Sequence, residues 1–177
     1  MKTTLIYGFA MAAVSTLMNY ALYFLGYHDS VEKLGTAQTI GMVVGLMNGI
    51  VCLWLGIRAR RDETPATEPF GYGRALGAGT LIALWGSLLG AVSHVVYMTA
   101  VNPDFRELVV QGEIAKMEAK GIPSSQIEQA ESMVRMMTGP VAQGIMAVIF
   151  GFVFTFILAL IISAFTRRAT TTPPPVG

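Results

Sequence analysis

Charge is scarcest in this chain where hydrophobicity is greatest. Asp, Glu, Lys and Arg make up 13% of the 177 residues, and none falls within 4–27, 35–57, 75–101 or 141–165. Each run meets or exceeds the roughly 20 residues that a helix needs to cross about 30 Å of hydrocarbon. Cysteine is almost missing. Cys52 stands alone inside the second run, which excludes an intramolecular disulfide and leaves the redox compartment open. It reads as a small packing residue rather than a reactive thiol. Only two histidines occur, His28 and His94, with no cysteine beside either, so no nucleophile–base pair can be named and an enzyme is not expected. Met133, Met136 and Met137 could offer thioethers to a soft metal with His28 or His94. The same residues also fill irregular apolar faces on surface helices, and that reading is preferred. No catalytic, cofactor-binding or metal-binding residue is therefore expected, and no cofactor. A net charge of +1 gives no general attraction to nucleic acid.

What is present is hydrophobic length. The expected fold is all-α: one membrane domain over 1–177, a four-helix bundle with spans at 4–27, 35–57, 75–101 and 141–165. The first run is about twice the 7–15 residues of a secretory h-region and lacks a small-x-small cleavage site, so it reads as an uncleaved span.

The charges sort by side. Lys2 precedes span one, Arg58, Arg60, Arg61 and Arg74 flank the connection between spans two and three, and Arg167 and Arg168 close span four. The other side carries His28, Asp29, Glu32 and Lys33, then residues 102–140, where six acidic residues outnumber Arg106, Lys116, Lys120 and Arg135. Basic residues near span ends stay in the cytoplasm. Both termini and the arginine-rich loop are therefore expected inside. Tyr20, Tyr23, Tyr27 and Tyr97 would mark the outer interface and Trp54, Phe70 and Tyr72 the inner one, as anchors at headgroup level.

Between the spans, RARRDETPATEP reads as an irregular, flexible loop and TTTPPPVG as a disordered tail. Residues 103–140 carry helical signals. Ile127, Ala130, Val134 and Met137 fall at helical spacing, with Glu131 and Arg135 as a favourable pair. The start of that helix is open between a capping box of Ser125 with Glu128 and Pro123 as its first residue. The residues from Asp104 to Lys120 form a second helix, and Gly121-Ile122-Pro123 separates the two. A helical hairpin with at least one helix on the membrane surface is expected. Asn102-Pro103-Asp104 is boundary chemistry, and Phe70-Gly71-Tyr72-Gly73-Arg74 similarly opens span three, where Arg74 can snorkel to phosphate headgroups.

Two groups of residues inside the spans are candidates for function. Gly41, Gly45 and Gly49 in span two and Gly86 and Gly90 in span three permit close helix contact, within this bundle or with a second copy. Asn19, Asn48, His94 and Gln143 need partners inside the membrane and could gather in one cluster in the outer half. Structural hydrogen bonding is favoured over a transport route, because an ion or proton pathway usually adds an intramembrane carboxylate or basic residue.

The start MKTTLIYG, the span-two exit LGIRARR, the opening FGYGRALGAG of span three, and NPDF followed by IAKMEAKGIPSSQIEQAE together resemble one family. It is the bacterial membrane proteins known as domain of unknown function four-one-nine-nine, found mainly in Bacteroidetes. The likeness runs over essentially the whole chain. It implies a four-helix inner-membrane protein of a Gram-negative bacterium and implies no activity. The reading preferred here is a non-enzymatic interaction or scaffolding protein of the envelope, in contact with the lipid bilayer and with itself or other membrane proteins. The alternative is a small channel or transporter subunit with a polar path near Asn19, Asn48, His94 and Gln143. A membrane-embedded enzyme is the weakest option.

The orientation can be checked directly. Ser124→Cys and Thr64→Cys, each on a Cys52→Ser background, would be treated with an impermeant thiol reagent in intact spheroplasts. Labelling is expected at position 124 and not at 64, and the reverse would overturn the topology.

Overall fold

A computed structural model describes residues 1–168. Six α-helices follow one another: α1 Lys2–Phe24, α2 Val31–Asp62, α3 Tyr72–Val96, α4 Phe105–Ala119, α5 Ser124–Met137 and α6 Pro140–Thr166. A π-helical turn, Tyr97–Val101, continues α3. Among the described residues there is no strand. The four long helices, α1, α2, α3 with its π turn, and α6, are long and apolar enough to cross a membrane. The tail expected to be disordered begins at Thr170 and lies outside the described residues.

Each helix stops for a local reason. Gly26 (φ 75°) ends α1: its N–H bonds to Tyr23 O, and the Tyr27 N–H reaches back to Leu22 O, both at 2.9 Å. Gly121 (φ 72°) ends α4 in the same way, through Glu118 O and Met117 O. Such paired bonds need a left-handed residue, which glycine adopts without a Cβ clash. Neither start foreseen for α5 is observed. Pro123 sits just before the first helical residue, and its carbonyl accepts from the N–H groups of Gln126 and Ile127.

The chain direction alternates, so the end of α2 and the starts of α1 and α3 meet the end of α6 at one pole, the arginine end. The α4–α5 hairpin covers the other pole. α3 packs most extensively, against α6 and α1, and α1 also packs on α2. Apolar side chains gain little from leaving lipid for one another, so close backbone approach decides where helices hold. A Cβ on Gly8 would lie 2.5 Å from Trp85 Cβ and 3.1 Å from Gly86 N, which marks the α1–α3 crossing. A Cβ on Gly79 would likewise lie 2.8 Å from Ala159 Cβ on α6, and one on Gly56 would lie 2.6 Å from Ile82 Cδ1. Leu53, Ile57, Ile82 and Ala159 fill the arginine half with no exposed surface.

The loop expected to be flexible is held instead. Phe70 and Arg168 exchange backbone hydrogen bonds of 3.1 and 2.8 Å, and the Arg168 guanidinium donates to Thr64 O and Pro65 O. Phe70 is only 2% exposed and belongs to the core, not to a headgroup belt. Tyr97 is likewise no anchor. The π turn and the Asn102-Pro103 break turn it inward, where it is 0% exposed. Tyr20, Tyr23, His28 and Phe105 place their rings 5.2–5.9 Å from its centroid. Its hydroxyl accepts from Asn102 Nδ2 at 3.0 Å and pairs with His28 Nδ1 at 2.5 Å. One buried ring thus ties α1, the α1–α2 loop, α3 and α4 together.

Arg135 binds the hairpin to itself, with both Glu107 oxygens at 2.7 and 3.1 Å and Glu131 at 2.8 Å. These pairs raise the guanidinium's pKa, Glu107 more than Glu131, and Arg135 lowers that of Glu107 in return. Gly112 lets α4 sit against α2, where a Cβ would lie 3.3 Å from Leu34 Cδ2. Met133 and Met136 on α5 stay exposed, at 61% and 69%.

Two outcomes follow. Gly8→Ala should destabilise the bundle by roughly 1–3 kcal/mol, the usual range for overpacking, whereas Gly45→Ala should be nearly neutral because nothing lies within 4 Å. Melting in detergent measures both. Burial lowers the pKa of His28, and Asp29 opposes this only in part. The folded state therefore favours neutral imidazole, and stability should fall as the pH drops below about 6.5, the free value. His28→Gln should remove that fall between pH 7.5 and 5.5, above the range in which the carboxylates titrate.

Candidate functional site

The core of the bundle is packed at the arginine end and opens into a cleft at the hairpin end. A Cβ on Gly49 of α2 would still lie 3.3 Å from Leu158 Cδ1 of α6, but on Gly45 or Gly41 it would meet nothing within 4 Å. Beyond Gly49 the two helices enclose a cleft of about 540 Å³. Met11, Ser15, Gly86 and Gly90 form its floor, and Leu46, Phe150 and Phe154 stand along its sides.

Two smaller cavities adjoin it nearer the hairpin. One of about 210 Å³ lies between α1 and α2 beside Phe105 and is lined by Asn19, Gln38 and His28. The other, about 200 Å³, lies between α1 and α3 and is lined by Thr16, Asn19, Ser93 and His94. Ser15 borders all three, and none is lined by Asp, Glu, Lys or Arg. Polarity therefore runs along the hollow. Amide, hydroxyl and imidazole groups occupy the hairpin end, and hydrocarbon the deep end.

The four polar residues expected to gather do not share one role. Asn48 is fully engaged: its amide donates to Met11 O at 2.8 Å and Ser15 Oγ at 3.2 Å, while its oxygen accepts from Cys52 Sγ at 3.3 Å. It is a bolt between α2 and α1. Gln143 donates to Met137 O at 3.3 Å, closing the end of α5, and its side chain lies beside His94. His94 and Asn19 face one cavity. The Asn19 side chain has no hydrogen-bond partner among the described residues. Sequence reasoning missed Ser15, Gln38 and the Thr16–Ser93 hydroxyl pair at 2.8 Å. Ser15 and Asn19 are one helical turn apart on α1, and that spacing was the available signal.

The glycines divide as well. Gly49 and Gly86 are close contacts, as expected of packing glycines, with Met11 Sδ 2.9 Å from a Cβ on Gly86. At Gly41, Gly45 and Gly90 a Cβ would meet nothing within 4 Å, so these three border open space and make no close contact within this bundle. Four-residue spacing finds glycines on one face, but it does not say whether that face meets a helix.

The six arginines of the basic group differ too. Arg60 pairs with Glu63, Arg61 with Asp62, and Arg74 with Glu68, at 2.8–3.0 Å. Arg58 stands over Trp54, 5.9 Å from the ring centroid, Arg168 clamps the loop, and Arg167 is exposed. Hydrogen bonds from Thr3 first and Arg60 second hold Glu63 below the usual carboxylate range. A cavity of about 450 Å³ between Arg60, Glu63, Glu68 and Arg74 thus presents already paired charges. Among the described residues, no three of His, Cys, Asp and Glu gather so as to hold a metal ion.

No curated protein and no solved structure matches the chain. One family model does, described as "Protein of unknown function (DUF4199)", over residues 6–168. With nearly all of the chain matched, including every spanning helix and the hairpin, this protein belongs to the DUF4199 family of proteins of unknown function.

Proposed function

We propose that the protein is a non-enzymatic interaction or scaffolding component of the bacterial inner membrane, with both termini cytoplasmic and the α4–α5 hairpin on the outer side. One observation carries this over the conduit reading. The polar cavities end on a packed apolar floor, where Leu53, Ile57, Ile82 and Ala159 leave no exposed surface. A conduit needs a hydrated path past that level, together with groups that carry or select charge. The hydrogen bonds of Asn48 favour the same conclusion, because an amide that makes three of them, two across to α1, is structural.

The hairpin supplies the surface such a role needs. Arg135 and Glu107 brace it, α4 is seated on α2, α5 exposes Met133 and Met136, and Val141 at the start of α6 is exposed as well. Methionine faces adapt to varied partners and to the lipid boundary. Another envelope protein or a second copy would dock there, and co-purification from mild detergent would identify it.

Wild type and Asn48→Leu would be reconstituted in liposomes, with proton and monovalent-ion leak measured beside detergent melting. Both should leak no faster than empty liposomes, and the variant should lose roughly 0.6–2 kcal/mol of stability. A wild-type flux above that baseline, abolished in Asn48→Leu with melting unchanged, would establish the conduit instead.

A further inference from the structure

We propose that the hollow at the hairpin end holds one phospholipid of the surrounding leaflet, with an acyl chain in the cleft between α2 and α6 and the glycerol–ester region at Ser15, Asn19 and Gln38. This stands independently of the scaffolding role, since neither requires the other.

Three features of the hollow select that occupant. The first is length. From Leu34, beside the hairpin, to Gly49, where α6 closes the cleft, is fifteen residues of α2. At 1.5 Å per residue that is about 22 Å, and one leaflet with its headgroups is about 20–22 Å. The second is graded polarity. The deep part, about 540 Å³, lies within the roughly 300–1,000 Å³ typical of ligand sites and is walled by glycine, phenylalanine and aliphatic groups. The shallow part offers amides and a hydroxyl with no ionised side chain. That chemistry suits ester carbonyls and glycerol oxygens, which accept hydrogen bonds from amide N–H groups. The third is availability. The amides of Asn19 and Gln38 have no hydrogen-bond partner among the described residues and keep accessible surface, so both are free to donate to an ester or glycerol oxygen.

A second copy of a spanning helix fits less well. It would have to run some 30 Å beside the bundle, whereas the cleft is closed at Gly49 by Leu158 and extends only from there to Gly41, about 12 Å. An acyl chain entering sideways from its own leaflet meets no such stop. It also restores dispersion contacts that the splayed helices lack.

The full chain would be reconstituted with a phosphatidylethanolamine carrying a photoactivatable diazirine in one acyl chain, and the cross-links mapped by mass spectrometry. Labelling is expected on Met11, Ala12 and Ala91, which line the cleft yet are buried from bulk lipid. Phe9 and Leu17, exposed on α1, report ordinary lipid contact. Gly41→Leu with Gly45→Leu fills the cleft from α2 and should reduce floor labelling to background while leaving Phe9 and Leu17 unchanged. If that double variant does not fold, Ala147→Phe fills the cleft from α6 and carries the same expectation. Native mass spectrometry of the wild type from mild detergent should show one retained adduct of phospholipid mass. Floor labelling at background in the wild type, labelling that survives the filled variants, copy-to-copy cross-links on the floor residues, or an adduct of another mass would each overturn the assignment.

Discussion

Close backbone approach between α1 and α3 at Gly8 and Gly86 is the contact on which the rest of the bundle depends. In water, burying leucine and phenylalanine would be enough to gather four helices. In lipid those side chains are as well solvated outside the bundle as inside it, so contact area and hydrogen bonds must do the work. A Cβ at position 8 would occupy the space of Trp85 Cβ, which means that only glycine lets the two axes come so near. Gly79 against Ala159 and Gly56 against Ile82 extend the same device to α6 and α2. These contacts concentrate toward the arginine end, and there the core is closed.

The hairpin end has one such contact, where a Cβ on Gly144 of α6 would lie 2.9 Å from Val95 of α3, and is otherwise held by different means. No glycine brings α2 near α6 beyond Gly49, and the helices diverge. Order is restored above the gap by Tyr97, whose buried ring touches groups from three segments, and by α4, which seats Gly112 against Leu34. The π turn adds the rotation that aims Tyr97 inward, and Pro103 ends the helix before that rotation can be lost. A bundle tied at both poles but open between them is the direct result.

The long elements were legible in the sequence because hydrocarbon imposes a length and excludes charge. The four spans and the two hairpin helices lie where composition places them, within a few residues. Direction was not legible. Tyr97, Phe70 and Arg168 have the composition of interface residues, yet each points into the protein, because a π turn, a backbone bridge and a loop carbonyl redirect them. Gly8, Gly56 and Gly79 carry the packing without forming a regular spacing within one helix, while Gly41 and Gly45 have the spacing and no partner. Spacing reports a shared face, and only the angle between helices decides what that face meets. Of the candidate site, Asn19 and His94 could be named from sequence. Ser15 was legible only through its one-turn spacing from Asn19, and Gln38 not at all, since a glutamine near a span end ordinarily needs no explanation.

The division of labour between Asn48 and Asn19 links the packing to the site. Both are asparagines on spanning helices, and both offer the same donors and acceptors. Asn48 lies where α1 and α2 are in contact, so its amide finds a carbonyl and a hydroxyl at once and becomes a structural tie. Asn19 lies two turns nearer the hairpin than Met11, the residue whose carbonyl Asn48 grips, where α1 borders the cavities on both sides and the Asn19 side chain has no hydrogen-bond partner among the described residues. What makes Asn19 available is therefore not its chemistry but the splay of the bundle. That splay in turn follows from the absence of close contact at Gly41, Gly45 and Gly90. Adding bulk at those glycines fills the hollow without disturbing a helix contact. Adding bulk at Gly8 removes the contact from which the hollow is measured. The same residue type thus sets the closed half of the bundle and leaves the other half open.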